Sequence, residues 1–203
     1  MRSFVALSAL ILFASSTAFA QAADVSSTGS AQAHKVREAW VARYNGPDNA
    51  MDIGSAVAVD EQGNVYVAGG TGNLGPGSGT NDYAILKYDP NGNLLWTQRY
   101  NGPGSGPDLN DDFASALAVD EQGNVYVTGW SRGNDTTYDY ATLKYDPNGN
   151  LLWVQRYSNP DSYDEAKALA VDEQGNVYVT GHSWGSGNGI TADVDAVTIK
   201  YSQ

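Results

Sequence analysis

The sequence predicts an all-β chain built from a repeated four-stranded antiparallel unit. Three observations carry this. The stretch "VDEQGNVYV" occurs unchanged at 59–67, 119–127 and 171–179. A longer frame recurs around it: "WVARY" at 40–44 matches "WTQRY" at 96–100 and "WVQRY" at 153–157. Likewise "DYAILKYDPNGNLLW" at 82–96 matches "DYATLKYDPNGNLLW" at 139–153, and "DAVTIKY" at 195–201 is a truncated third copy. The third observation is local: each conserved run is short, β-branched and aromatic with period-two character, and is bounded by Gly, Pro, Asn or Asp. No stretch keeps a helical period over the length a helix needs. Repeats this long suit a small sheet better than a pair of helices.

In chain order, the first element is a leader. Arg2 precedes the apolar run "FVALSALILFA", which is too short to span a bilayer, and "AFA" at 18–20 offers the small residues of a cleavage site. Residues 1–20 therefore read as a signal peptide cut after Ala20, with Ala22 as the alternative. The expectation is export to the periplasm, the cell surface or the medium, without membrane insertion. Residues 21–37 are small and polar with no apolar period, a flexible lead-in. The domain then runs over 38–203: a lone strand at 39–44, repeat one at 52–100, repeat two at 112–157 and repeat three at 164–201.

Each full repeat reads as strands a ("SAVAVD"), b ("NVYVAG"), c ("YAILKY") and d ("LLWTQRY"). In the intervening "DEQG" and "DPNG", Asp and Gly occupy the first and fourth positions of a type I turn, and Pro90 and Pro147 the second. Gly at the fourth position supplies the left-handed residue that closes such a turn with a bulge. Both a–b and c–d are thus tight hairpins. In phase, the chain is one strand d, two complete units, and an a-b-c, making twelve strands.

Composition narrows function. The chain has 23 Asp and Glu against 11 Lys and Arg, for a net charge of −12, which argues against nucleic acid or an anionic membrane as partner. It contains no Cys, so disulfides, thiol catalysis and thiolate metal sites are excluded. Spacing is constant from Asp52 to Gly69, Asp112 to Gly129 and Asp164 to Gly181, and varies only in the b–c and d–a connections. In a meander those connections share one end, so this loop face is the expected binding surface.

Two acidic series rim it: Asp52, Asp112 and Asp164 before strand a, and Asp82, Asp139 and Asp195 before strand c. One reading is a ring of carboxylates for calcium or a cationic ligand. The other is that each Asp caps its own loop by accepting a backbone N–H. The dense D-x-[DN]-x-[DN]-G pattern is missing, which favours capping, so no cofactor is expected and calcium is the only candidate. Trp130, Trp184 and Tyr138 lie in or beside the b–c loops and are candidates for stacking on a sugar or anchoring a protein partner. Trp40, Trp96 and Trp153 recur at one strand position and read as core, while the recurrent Lys87, Lys144 and Lys200 and Arg43, Arg99 and Arg156 read as outer-edge charges. His182 has no paired nucleophile, so no catalytic group is assigned.

The block "A-x-A-x-D-x-x-G-N-V-Y-V-x-G" followed by "D-Y-x-x-x-K-Y-x-x-x-G-x-x-x-W" resembles the SBBP repeat of bacterial exported proteins, over 38–203. The resemblance implies β-propeller blades and an exported or surface protein, with no reaction attached. The function expected is a non-enzymatic scaffold that binds a protein or glycan at its loop face. The alternatives are a polysaccharide hydrolase or lyase using acidic loop residues, and a structural repeat without a ligand. Three blades' worth is below the four to eight of typical propellers. The offset strand at 39–44 therefore leads to the expectation of head-to-tail self-association, two copies making six blades.

Overall fold

The computed structural model describes residues 36–47, 49–72, 81–104, 111–134, 137–160, 162–185 and 193–202. Residues 38–203 form one compact unit. The leader, almost all of the lead-in and the middles of several loops lie outside the described residues.

Among the described residues, eleven strands make three antiparallel sheets. Blade 1 is β1 (Met51–Val59), β2 (Val65–Gly72), β3 (Asp82–Tyr88) and β4 (Leu94–Tyr100). Blade 2 is β5 (Asp112–Val119), β6 (Val125–Arg132), β7 (Tyr138–Tyr145) and β8 (Leu151–Tyr157). Blade 3 is β9 (Tyr163–Val171), β10 (Val177–Trp184) and β11 (Val194–Tyr201). Within each blade the strands lie in chain order, and β1 neighbours β5 as β5 neighbours β9. Strand a is therefore the inner strand throughout, and the described residues form an arc of blades that does not close.

The hairpin turns form as their sequences demand. The Gly63 N–H donates to the Asp60 carbonyl at 3.0 Å and the Asp60 N–H to that of Asn64 at 3.1 Å, with Gly63 at φ 82°. The Asp60 side chain completes the turn by accepting from the Gln62 and Asn64 N–H groups and from the Tyr66 hydroxyl. The backbone turn and its Asn bond recur at Asp89, Asp120, Asp146 and Asp172, and the Tyr hydroxyl bond recurs at Asp120 and Asp172. Strand a carries a bulge opposite the end of strand b, at 54/56 in blade 1 and 114/116 in blade 2. The bulge explains the Gly that ends "NVYVxG". A Cβ on Gly69, Gly129 or Gly181 would lie within 1.8 to 2.0 Å of the carbonyl oxygen of Ile53, Phe113 or Glu165.

Alternation sorts each blade into two faces. The forward face of blade 1 (Tyr66, Ala68, Tyr83 and Ile85) is fully buried against Val125, Val127, Ala141 and Leu143 on the rear of blade 2. Blade 2 repeats this with Tyr126 and Tyr140 against Ala166, Val177 and Val179 of blade 3. Core and blade contact are the same thing here, because one sheet cannot bury its own face.

Two expectations need correction. The twelfth strand does not form: 38–46 has no ladder, although Ala42 and Tyr44 pack on Ala84, Leu86 and Tyr88 of blade 1. A strand d bonds to a strand c on its own sheet, and among the described residues no strand c precedes 39–44. The Lys and Arg series are not merely edge charges. Lys87 and Lys144 sit 5.0 and 4.9 Å above the Tyr66 and Tyr126 rings, and Lys87 Nζ also donates to the Pro147 carbonyl of the next blade at 3.2 Å. Their stems cover ring surface while the ammonium groups find π-faces and carbonyls.

Candidate functional site

The d–a loops are tied down by the first acidic series. Asp52 Oδ2 accepts the Gly46 N–H at 2.9 Å, Asp112 Oδ2 that of Gly102 at 2.7 Å, and Asp164 Oδ2 that of Asn159 at 2.6 Å. The other oxygen takes Thr71 Oγ1, the Arg132 N–H and Ser162 Oγ respectively. This is the loop-capping geometry. Asp112 is fully buried, and burial pushes its carboxyl up to about 6 despite the bonds from Gly102, Ser131 and Arg132, with Asp82 adding repulsion.

The second series behaves differently. Asp82 pairs with Arg99 at 2.8 Å and Asp139 with Arg156 at 2.7 Å, in each case across strands c and d. Arg156 is the hub of a larger network, donating also to Ser131 Oγ at 2.6 Å, to the Ser131 carbonyl at 2.8 Å and to the Tyr100 hydroxyl of blade 1 at 3.0 Å. One guanidinium thus joins three strands of its own blade to the outer strand of the preceding one. Asp195, the third member, is exposed. Among the described residues no group of three or more His, Asp or Glu side chains is placed to hold a metal ion.

The aromatic candidates are brought together. Phe113 stacks on Trp130 (centroids 5.9 Å apart, planes 17°), Trp130 meets the edge of Tyr138 at 4.7 Å, and Tyr138 leans on Tyr163 at 5.6 Å. Tyr163 is the ladder partner of Trp184, whose ring meets His182 at 6.0 Å. The Arg132 guanidinium lies 5.4 Å over Tyr138. The row runs across blades 2 and 3 at the loop end of the sheets and finishes in two exposed rings, Tyr163 at 51% and Trp184 at 43%. Sequence reasoning picked Trp130, Tyr138 and Trp184 and missed Phe113, Arg132 and Tyr163. The signal was present in the repeat register: Phe113 stands where the sister copies have Ile53 and Glu165, and Tyr163 where they have Met51 and Asp111. Aromatics that break the repeat are not explained by the repeat's own packing.

The SBBP β-propeller repeat matches residues 39–76, 95–135 and 152–190, together more than half of the chain. The chain belongs to this β-propeller repeat family. Each SBBP match begins at a segment d, the first on the unpaired one at 39–44. Over 160 residues the chain is 26% identical to an uncharacterized WD repeat-containing protein of Acanthamoeba polyphaga mimivirus, covering 62% of this chain and 11% of that protein. Over 122 residues it is 31% identical to the regulatory protein FlaEY of Caulobacter vibrioides, covering 53% of this chain and 12% of FlaEY. The SBBP chain thus spans about a tenth of the length of these curated relatives. A solved protein of unknown function from Bacteroides caccae is similar at 14% identity and a TM-score of 0.37, over 71% of this chain and 45% of that one. Family membership rests on the three SBBP matches.

Proposed function

We propose that this β-propeller repeat scaffold is an exported, non-enzymatic binding protein whose ligand, a glycan, is held on the loop face by the aromatic row. The carrying observation is the file of ring contacts from Phe113 through Trp130 and Tyr138 to exposed Tyr163, whose ladder partner is the exposed Trp184. A pyranose has an apolar C–H face that stacks on an exposed ring and a hydroxyl rim that needs donors and acceptors. Arg132, His182 and Glu165 stand beside the rings and supply both. The leader at 1–20 supports export. Against turnover by the acidic residues, Asp112 and Asp164 accept hydrogen bonds at both oxygens from backbone N–H groups and the Ser162 hydroxyl, and Asp139 Oδ2 is held by Arg156.

A glycan array followed by titration tests this. Tyr163→Ala and Trp184→Ala together should weaken binding of the selected glycan at least about tenfold, since hot-spot aromatics carry roughly 2 kcal/mol or more. The double variant should keep the thermal stability of the parent. An array without a hit, or a hit whose affinity ignores both substitutions, overturns the reading. A hit that is consumed shows an enzyme instead.

A further inference from the structure

The two blade contacts inside the chain define a template, and both ends of the arc carry half of it. Each forward face inserts two pairs of side chains into the Val- and Leu-lined rear of the next blade. In blades 1 and 2 the Tyr at the start of strand b, Tyr66 or Tyr126, is fully buried by this contact. The same residue in blade 3, Tyr178, is 37% exposed, and Thr180 and Thr198 beside it are exposed where Thr128 and Thr142 are buried. At the other end, the rear of blade 1 leaves Val57 and Val59 67% and 61% exposed, whereas their counterparts Leu117 and Val119 pack into a core cluster. Val65 and Val67 there line a cavity of about 260 Å³ under the 40–44 segment.

That segment already holds the position of a strand d belonging to a preceding blade. Trp40 Nε1 donates to the Pro90 carbonyl at 3.1 Å, as Trp96 Nε1 does to Pro147 at 3.1 Å. Trp40 also covers Gly92 as Trp96 covers Gly149. What 39–44 lacks is a strand c to pair with, and β11 is a strand c at the outer edge of its sheet.

The charges agree. Blades 1 and 2 each join the Asp that opens strand c to the Arg of strand d, as Asp82–Arg99 and Asp139–Arg156. In the same register the remaining Asp is Asp195 and the remaining Arg is Arg43, and among the described residues neither has an ion-pair partner. Both are exposed.

We infer that a second copy of this chain completes blade 3: its 39–44 segment adds to β11 as the fourth strand, its Arg43 pairs with Asp195, and the Tyr178 face packs on the rear of its blade 1. The contact is heterologous and repeats at the other junction, so the assembly closes when the blades complete a turn. Two copies give six blades, inside the four-to-eight range of propellers, and three give nine, outside it. The occupant is a second copy because the two faces and two edges complement each other by the pattern both internal contacts display. Closure removes an open sheet edge and an exposed apolar face together. The inference stands apart from the loop-face ligand and would survive its failure.

Charge reversal across the junction tests it with surface variants that leave each fold intact. Arg43→Glu alone and Asp195→Arg alone place like charges at both junctions, and each should raise the dimer dissociation constant about tenfold or more. An equimolar mixture of the two variants has one native junction and one reversed pair, so it should form a heterodimer close to wild-type affinity. The inference is overturned if the single variants dimerise like the parent, if the mixture assembles no better than either variant alone, or if the parent is a folded monomer at micromolar concentration. A parent trimer would overturn the six-blade closure.

Discussion

Replacing Arg156 by Met removes the hub between blades 1 and 2 while keeping the aliphatic stem. The Asp139 carboxylate, about 7% exposed, loses its only charged partner among the described residues. Its Oδ1 is already buried without a hydrogen bond, so the whole group becomes an uncompensated buried charge. The Ser131 carbonyl and the Tyr100 hydroxyl lose their guanidinium bonds as well. Breaking a buried pair from one side costs about 3–5 kcal/mol. Arg156 is itself 22% exposed, which places the expectation near the lower end, about 3 kcal/mol. In a domain of this size that is a fall in Tm of about 6–12 °C. Asp139→Asn added to Arg156→Met removes the orphaned charge and should recover about 1–2 kcal/mol, a coupling energy typical of residues in one network. Urea unfolding at pH 7, followed by Trp fluorescence at one fixed protein concentration, reads both numbers and keeps association constant. A loss under about 1 kcal/mol, or a double variant as unstable as the sum of the singles, would refute the claim that this guanidinium ties the blades together.

Two further predictions follow from the strands and the d–a loops. Gly129→Ala puts a Cβ within 2.0 Å of the Phe113 carbonyl, and should cost about 3 kcal/mol or more or prevent folding. Gly54→Ala is the control: its Cβ meets only a Val67 methyl at 3.4 Å and the sister copies have Ala114 and Ala166 there, so urea midpoints should barely move. Asp112 predicts a pH effect. Its folded pKa of about 6 exceeds the unfolded value of about 3.9, so the folded state holds the proton longer, and stability falls as pH rises from about 4 to about 6, by roughly 3 kcal/mol in total. Asp112→Asn should flatten that limb of the pH–stability curve, and a limb that persists in the variant would show that another group causes it. The turn aspartates Asp89, Asp146 and Asp172 have lowered pKa values from the bonds their Asn neighbours donate, and Asp60 does so against burial. Their contribution is lost only as pH falls below the ordinary carboxylate range, so the two windows do not overlap.

The blade was legible because its signals are local. "VDEQGNVYV" contains a complete hairpin instruction: an Asp that accepts two turn amides, a Gly at positive φ and a Tyr that returns to the same carboxylate. Length variation between copies likewise located the variable connections without any knowledge of packing. The residues that were misread act over distance. Nothing local shows that Lys144 will lie over Tyr126, or that Arg156 will reach Tyr100, which lies 56 residues away in the chain. The segment at 39–44 has the sequence of a strand, yet a strand needs a neighbour as much as it needs Val and Tyr. The aromatic row was half legible: Trp130, Tyr138 and Trp184 stand at or near strand ends beside the b–c loops, but Phe113 and Tyr163 open strands a and show themselves only by departing from the repeat.

The mass of the full chain in solution tests the central claim most directly. Native mass spectrometry or light scattering at micromolar concentration should find a particle of two chains, in which Tyr178 and the rear of blade 1 are protected from solvent. A well-folded particle of one chain, with Tyr178, Val57 and Val59 still open to solvent, would contradict it.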